Sequence, residues 1–90
     1  METRKYYSVI EVSSGEVPAE LDRIEVYPTY IEAKNRLKKL FQNGLKEYRE
    51  YGEVTYTIDN DEYEITLEDN NGDITTFAGY ISDVMIPVEV

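Results

Sequence analysis

Two consecutive stretches of this chain alternate in polarity with a period of two residues, and a short turn signal separates them. From Glu53 to Asp59, the apolar Val54, Tyr56 and Ile58 take one side, and Glu53, Thr55, Thr57 and Asp59 take the other. From Glu62 to Glu68, Tyr63, Ile65 and Leu67 oppose Glu62, Glu64, Thr66 and Glu68. Successive side chains of a strand point to opposite faces, so this is the pattern of half-buried strands. Asn60-Asp61 suits a two-residue hairpin turn. Closing the chain there sets Ile58 across from Tyr63, Tyr56 across from Ile65, and Val54 across from Leu67. A slip of one residue would turn one apolar set toward water, so the register is strongly specified.

The same register decides where the charge goes. It sets Glu53 opposite Glu68 and Asp59 opposite Glu62, with Thr57 facing Glu64 and Thr55 facing Thr66. Like charges directly across a strand pair destabilise by a few tenths up to ~1 kcal/mol each. No countercharge is close in sequence: residues 51–90 hold ten carboxylates and no Lys or Arg. All nine basic residues lie between Arg4 and Arg49 beside nine acids, so the formal charge of −10 resides in the last 40 residues. Same-side positions on a strand repeat every ~6.8 Å. The expected wet face is therefore a carboxylate lattice of Glu53, Asp59, Glu62, Glu64 and Glu68, extended at the turns by Asp61, Asp69 and Asp73. These eight residues are the candidate partner-binding set. An acidic surface also adds solubility and discourages edge-to-edge pairing, and this simpler reading stands beside the functional one.

The rest of the chain supplies the layer that such a sheet needs. Residues 5–12 read as a first strand, with Tyr6, Ile10 and Val12 on one face and Tyr7, Val9 and Glu11 on the other. Ser13 to Asp22 holds Gly15 and Pro18 and reads as a loop. A short strand follows at Arg23–Tyr27, with Ile24 and Val26 on one face, pairing with the first. Thr29 and Glu32 form a capping box that starts a helix after Pro28. The helix is expected from Tyr30 to about Tyr51, burying Tyr30, Ala33, Leu37, Leu40, Phe41, Gly44, Leu45 and Tyr48 along one stripe. At Asn43-Gly44 it either breaks, kinks or comes close to a sheet, because Gly costs roughly 1 kcal/mol in a helix interior. Gly52 is the expected C-terminal stop. Asn71-Gly72 is a second turn signal and leads to a strand at about Asp73–Ser82, with a bulge expected near Thr75–Thr76 because Ile74 and Phe77 are an odd distance apart. Val84–Val88 reads as a short edge segment, since Pro87 cannot donate to a central ladder. An edge strand near Tyr80–Ile86 offers one route to a dimer, and the expected state is a monomer or a small homo-oligomer. The fold class is α+β: an antiparallel sheet of about five strands in the order β-β-α-β-β-β, with one long helix packed on one face. Residues 1–90 form a single domain.

Composition excludes several functions. There is no Cys and no His among 90 residues, which removes disulfides, thiolate metal sites, the commonest general base and the commonest zinc ligand. Ser8, Ser13, Ser14 and Ser82 have no His to activate them, and no glycine loop for phosphate is present, so the expectation is not an enzyme. Asp59-Asn60-Asp61-Glu62 and Asp69–Asp73 are oxygen-rich but do not fit the EF-hand spacing; weak divalent-cation binding is an alternative, and no metal or cofactor is assigned. Lys34, Arg36, Lys38, Lys39, Lys46 and Arg49, with Tyr48 and Tyr51 near for stacking, are a possible nucleic-acid face. A net charge of −10 and a pI near 4.3 oppose the approach of any polyanion, so direct binding to nucleic acid or anionic lipid is not expected. No apolar run approaches the ~20 residues of a membrane span. The charged start Met1–Tyr7 is followed by no apolar run, so no signal peptide and a cytoplasmic location are expected.

What remains is a fixed acidic face suited to a basic protein surface. In size, charge, lack of Cys and His, and the acidic run from 53 to 73, the chain resembles at class level the small acidic inhibitors encoded by phages and mobile elements, the anti-CRISPR and anti-restriction proteins. These share no common motif, so the resemblance assigns no residue. It implies a nucleic-acid mimic, acting in a host cytoplasm, that occludes the basic site of a nucleic-acid-binding protein. The alternative is a small acidic interaction or structural domain without mimicry.

Overall fold

The computed structural model describes residues 2–15 and 20–88. Its strands are β1 (Glu2–Ser14), β2 (Glu20–Tyr27), β3 (Gly52–Ile58), β4 (Glu62–Asp69) and β5 (Ile74–Val88), and its helix is α1 (Tyr30–Tyr48). All strand pairs are antiparallel, and the order across the sheet is β2-β1-β5-β4-β3. The element order is thus the expected β-β-α-β-β-β, with the helix on one face.

The β3–β4 hairpin keeps the register that its alternation dictates, from Glu53↔Glu68 through Ile58↔Tyr63. The turn closes with the Asp59 N–H donating to the Glu62 carbonyl at 2.8 Å. Neither Asn60 nor Asp61 has positive φ, so the turn is not the type I′ form that an Asn-Gly sequence would favour. The helix starts where its cap predicts. Thr29 is extended, its hydroxyl oxygen accepts from the Glu32 N–H at 3.3 Å, and its O–H donates to the Glu32 carboxylate at 3.0 Å. Ala33, Leu37, Leu40, Phe41 and Gly44 are buried against Val9, Tyr63 and Ile65. Around them Tyr48 stacks on Phe77 with centroids 3.9 Å apart, and Phe41 meets Tyr56 edge-on at 5.3 Å.

Several expectations are corrected. The helix is continuous through Asn43-Gly44, and Gly44 serves the close approach: a β-carbon there would lie 3.0 Å from Ile65 Cδ1. The helix ends at Tyr48 rather than near Tyr51, and Gly52 is not its cap. Gly52 opens β3 beside Asp69, where a β-carbon would collide with the Glu68 carbonyl. The bulge expected at Thr75–Thr76 is absent, since β4–β5 pairing runs unbroken from Glu68↔Ile74 to Glu62↔Tyr80. Ile74 and Phe77 are an odd distance apart because they face opposite sides: Phe77 packs on the core and Ile74 is exposed. The register shift lies instead between Glu11 and Val12, against β2.

Both N-terminal strands are longer than expected. β1 spans Glu2–Ser14 and β2 begins at Glu20, so both ends of the segment read as a loop are strand; residues 16–19, Pro18 among them, lie outside the described residues. Val84–Val88 is no separate edge segment but the end of β5, paired with Glu2–Tyr6. Described pairing with β4 stops at Tyr80 and with β2 at Tyr7, so this end is a two-stranded arm. Pro87, opposite Thr3, is compatible with it because among the described residues β1 alone pairs there. The arm contributes to an elongated shape of 56 × 25 × 17 Å.

Candidate functional site

One sheet face carries α1 and the other is uncovered. Pairing assigns every strand residue to one of them. The helix side takes Tyr7, Val9 and Glu11 of β1, Val54 and Tyr56 of β3, Tyr63, Ile65 and Leu67 of β4, and Phe77, Gly79 and Ile81 of β5. The uncovered side takes the residues between them.

On that side Glu53 lies opposite Glu68, and Glu64 lies between Thr57 and Ala78. Glu62 pairs with Tyr80. All four glutamates are exposed. Among the described residues none of them enters an ion pair; the salt bridges are Lys5–Asp83, Arg23–Glu11, Arg23–Glu25 and Arg36–Glu25. Asp59 continues the row at the hairpin end, its carboxylate accepting from the Asn60 N–H at 2.7 Å.

Of the other three expected members, two are engaged elsewhere. Asp61 accepts the Tyr30 hydroxyl at the start of α1, which draws it out of the row. The half-buried Asp69 holds its own turn, accepting from the N–H groups of Asn71 at 2.9 Å and Asp73 at 3.0 Å. This is the local role that favours Asp in turns. Asp73 is exposed at the exit of that turn. Among the described residues, no three acidic side chains converge on a point where a metal ion would sit.

Over β2, β1 and β5 much of the uncovered face is apolar, which the reading of a wet face missed. Pairing sets Ile10 between Ile24 and Tyr80, Ser8 between Val26 and Ser82, Val12 between Leu21 and Ala78, and Tyr6 opposite Val84. Leu21 is 63% exposed, Ile24 57% and Val26 48%. A contiguous apolar area across β2, β1 and β5 therefore adjoins the glutamate row at Tyr80. The signal lay in β1, whose apolar residues occupy both faces, the mark of a strand covered on two sides.

Beneath β2 the helix side is polar instead. The Arg36 guanidinium grips Glu25 through two nitrogens, at 2.8 and 3.2 Å. Arg23 bonds Glu25 and Glu11, each at 2.9 Å, Tyr27 donates to Glu25 at 2.6 Å, and Tyr63 donates to Glu11 at 2.8 Å. Arg36, with Tyr27 assisting, holds the Glu25 carboxyl down at about 2. Burial, aided by Glu11, pushes the Tyr63 hydroxyl well up, and burial lifts Tyr48 to about 12. A shallow charged cleft beside this network is lined by Glu11, Arg23, Arg36, Glu47 and Tyr48. Glu11, Arg23 and Arg36 bond within the network, and Glu25, Tyr48 and Tyr63 are driven away from titration near neutral pH, the reverse of what acid–base chemistry needs.

No helix of the described residues is long and apolar enough to cross a membrane. Comparison with protein-family models, with curated proteins and with solved structures found no match for the chain.

Proposed function

We propose that this chain is a non-enzymatic, cytoplasmic inhibitor. Its acidic sheet face occupies a Lys/Arg-lined site on a nucleic-acid-binding protein, in the manner of anti-CRISPR and anti-restriction mimics. The observation that carries this reading is the row Glu53, Glu62, Glu64 and Glu68. It is unpaired within the described residues, exposed, and held in register on rigid strands although two of its members face each other. Asp59 and Asp73 extend it. Charges spaced ~6.8 Å along a strand and ~4.8 Å across strands form a dense, preorganised polyanion. Such a surface gains fast, steered and salt-sensitive association with a basic groove.

The test is Glu62→Lys with Glu64→Lys and Glu68→Lys, assayed for capture of partners at low salt and for competition by duplex DNA. The mimic is expected to lose capture on charge reversal and to be displaced by excess DNA. Unchanged capture by the triple variant would overturn the acidic-face reading. Capture that is lost on reversal yet indifferent to DNA supports a second reading, a protein-interaction domain without mimicry. The apolar area beside the row favours that alternative.

A further inference from the structure

The glutamate row fills only the β3–β4 side of the uncovered face. We propose that the apolar side, over β2, β1 and β5, docks an amphipathic α-helix of the partner, whose flanking Lys or Arg residues reach the row. This rests on the row being a binding site and names what binds beside it.

Three observations converge on a helix of that charge. First, the opposite face already carries a helix, and the β1–β5 part of the sheet, apolar on both sides, is completed by a second layer. Second, the dimensions fit. From Val12 to Tyr6 along β1 is ~20 Å, the length of about 13 helical residues. β4 lies two strand spacings from β1, ~10 Å, and a helix with its side chains is ~10–12 Å wide. A helix seated over Ile10 and Ile24 therefore sets one flank, ~5–6 Å from its axis, over β5, from which a long Lys or Arg side chain reaches Glu62 and Glu64 on β4. Third, those glutamates pair with Tyr80 and Ala78, at the border of the apolar area, and carry no countercharge among the described residues.

A second copy of the chain fits poorly. Stacking two such faces with strand order matched sets acid over acid. Stacking them with order reversed about β1 buries the apolar strands but leaves both glutamate rows overhanging, still unpaired.

The test uses the full chain and a fluorescent synthetic 18-residue helical peptide with Leu on one face and Lys on both flanks, read by anisotropy. Saturable binding is expected, weakened at least tenfold by Ile24→Ser with Val26→Ser. Glu62→Gln with Glu64→Gln should weaken it several-fold and flatten its salt dependence. Circular dichroism checks that each variant is folded. Three results would overturn the proposal: equal binding of a peptide with Glu flanks, no effect of the Ile24/Val26 variant, or a wild-type dimer in light scattering that this variant dissociates. DNA competition by a chain whose Ile24/Val26 variant is silent would sink the docking helix and keep the mimic. Peptide binding without DNA competition would do the opposite.

Discussion

At β2 the charged side chains face the helix and the apolar ones face out; at β3 and β4 the assignment is reversed. Arg23, Glu25 and Tyr27 lie on the helix side of β2, while Ile24 and Val26 are exposed. On β4, Tyr63, Ile65 and Leu67 are buried and Glu62, Glu64 and Glu68 are exposed. Both segments alternate equally well. What distinguishes them is pairing: Glu25 meets two guanidiniums and a phenol beneath the sheet, whereas no basic residue follows Arg49 to serve the glutamates of β4. Alternation divides a strand into two faces, and the available partners choose which face turns inward.

The contrast can be broken most severely with one substitution made in two places. Ile65→Ala, at a fully buried position, should cost about 3 kcal/mol by the usual cavity term. Ile24→Ala, on the face of β2 that is open, should cost under ~1 kcal/mol. Urea denaturation of both variants measures the difference, and comparable losses would show that β2 is buried in solution.

The ionic side of the contrast is tested by acid. The Glu25 carboxyl drops from 4.5 to about 2 on folding, so its contribution is present above pH 4.5 and disappears as pH falls toward 2. Its size is at most about 3 kcal/mol, less the screening of a partly exposed pair. Glu25→Gln should destabilise the protein at pH 7 by about 2 kcal/mol and flatten the stability curve between pH 4.5 and 2. A variant that keeps the wild-type acid limb would assign that limb to other carboxylates.

The smallest effect has the opposite sign. Glu68→Lys places an opposite charge across from Glu53 and should stabilise by a few tenths of a kcal/mol, a gain that high salt removes. Thermal melts at low and high salt read it directly. Destabilisation at low salt would mean that the acid–acid pair carries no strain.

These particulars also show how far the sequence reaches. The β3–β4 register, the Thr29 cap and the stripe of α1 from Ala33 to Tyr48 are local patterns, each written within a few residues, and each is found in the structure; Tyr30, expected at the head of that stripe, is not buried in the core. The orientation of β2 was not legible, because Arg36 lies 11 residues from Glu25 and Glu11 lies 12 from Arg23, and nothing local announces either pairing. The same holds for two members of the candidate site. Asp61 is claimed by Tyr30, 31 residues earlier, and Asp69 by its turn amides. The four glutamates lie on the expected side because on β3 and β4 the period sets them opposite the apolar residues and no basic residue draws them inward. The apolar half of that face was visible only in β1, whose two-sided pattern requires a cover that the chain's one helix cannot supply twice.

The helix and the glutamate row lie on opposite faces of a body 17 Å across its shortest axis. Lys38, Lys39 and Lys46 are exposed on α1, and the acids are exposed beyond the sheet. The chain is thus an electric dipole across its thickness as well as a net anion. In the field of a cationic surface, such a body experiences a torque as well as an attraction, and it rotates once it comes within about a Debye length. It approaches with the uncovered face leading, so much of the orientational search is over before any side chain touches.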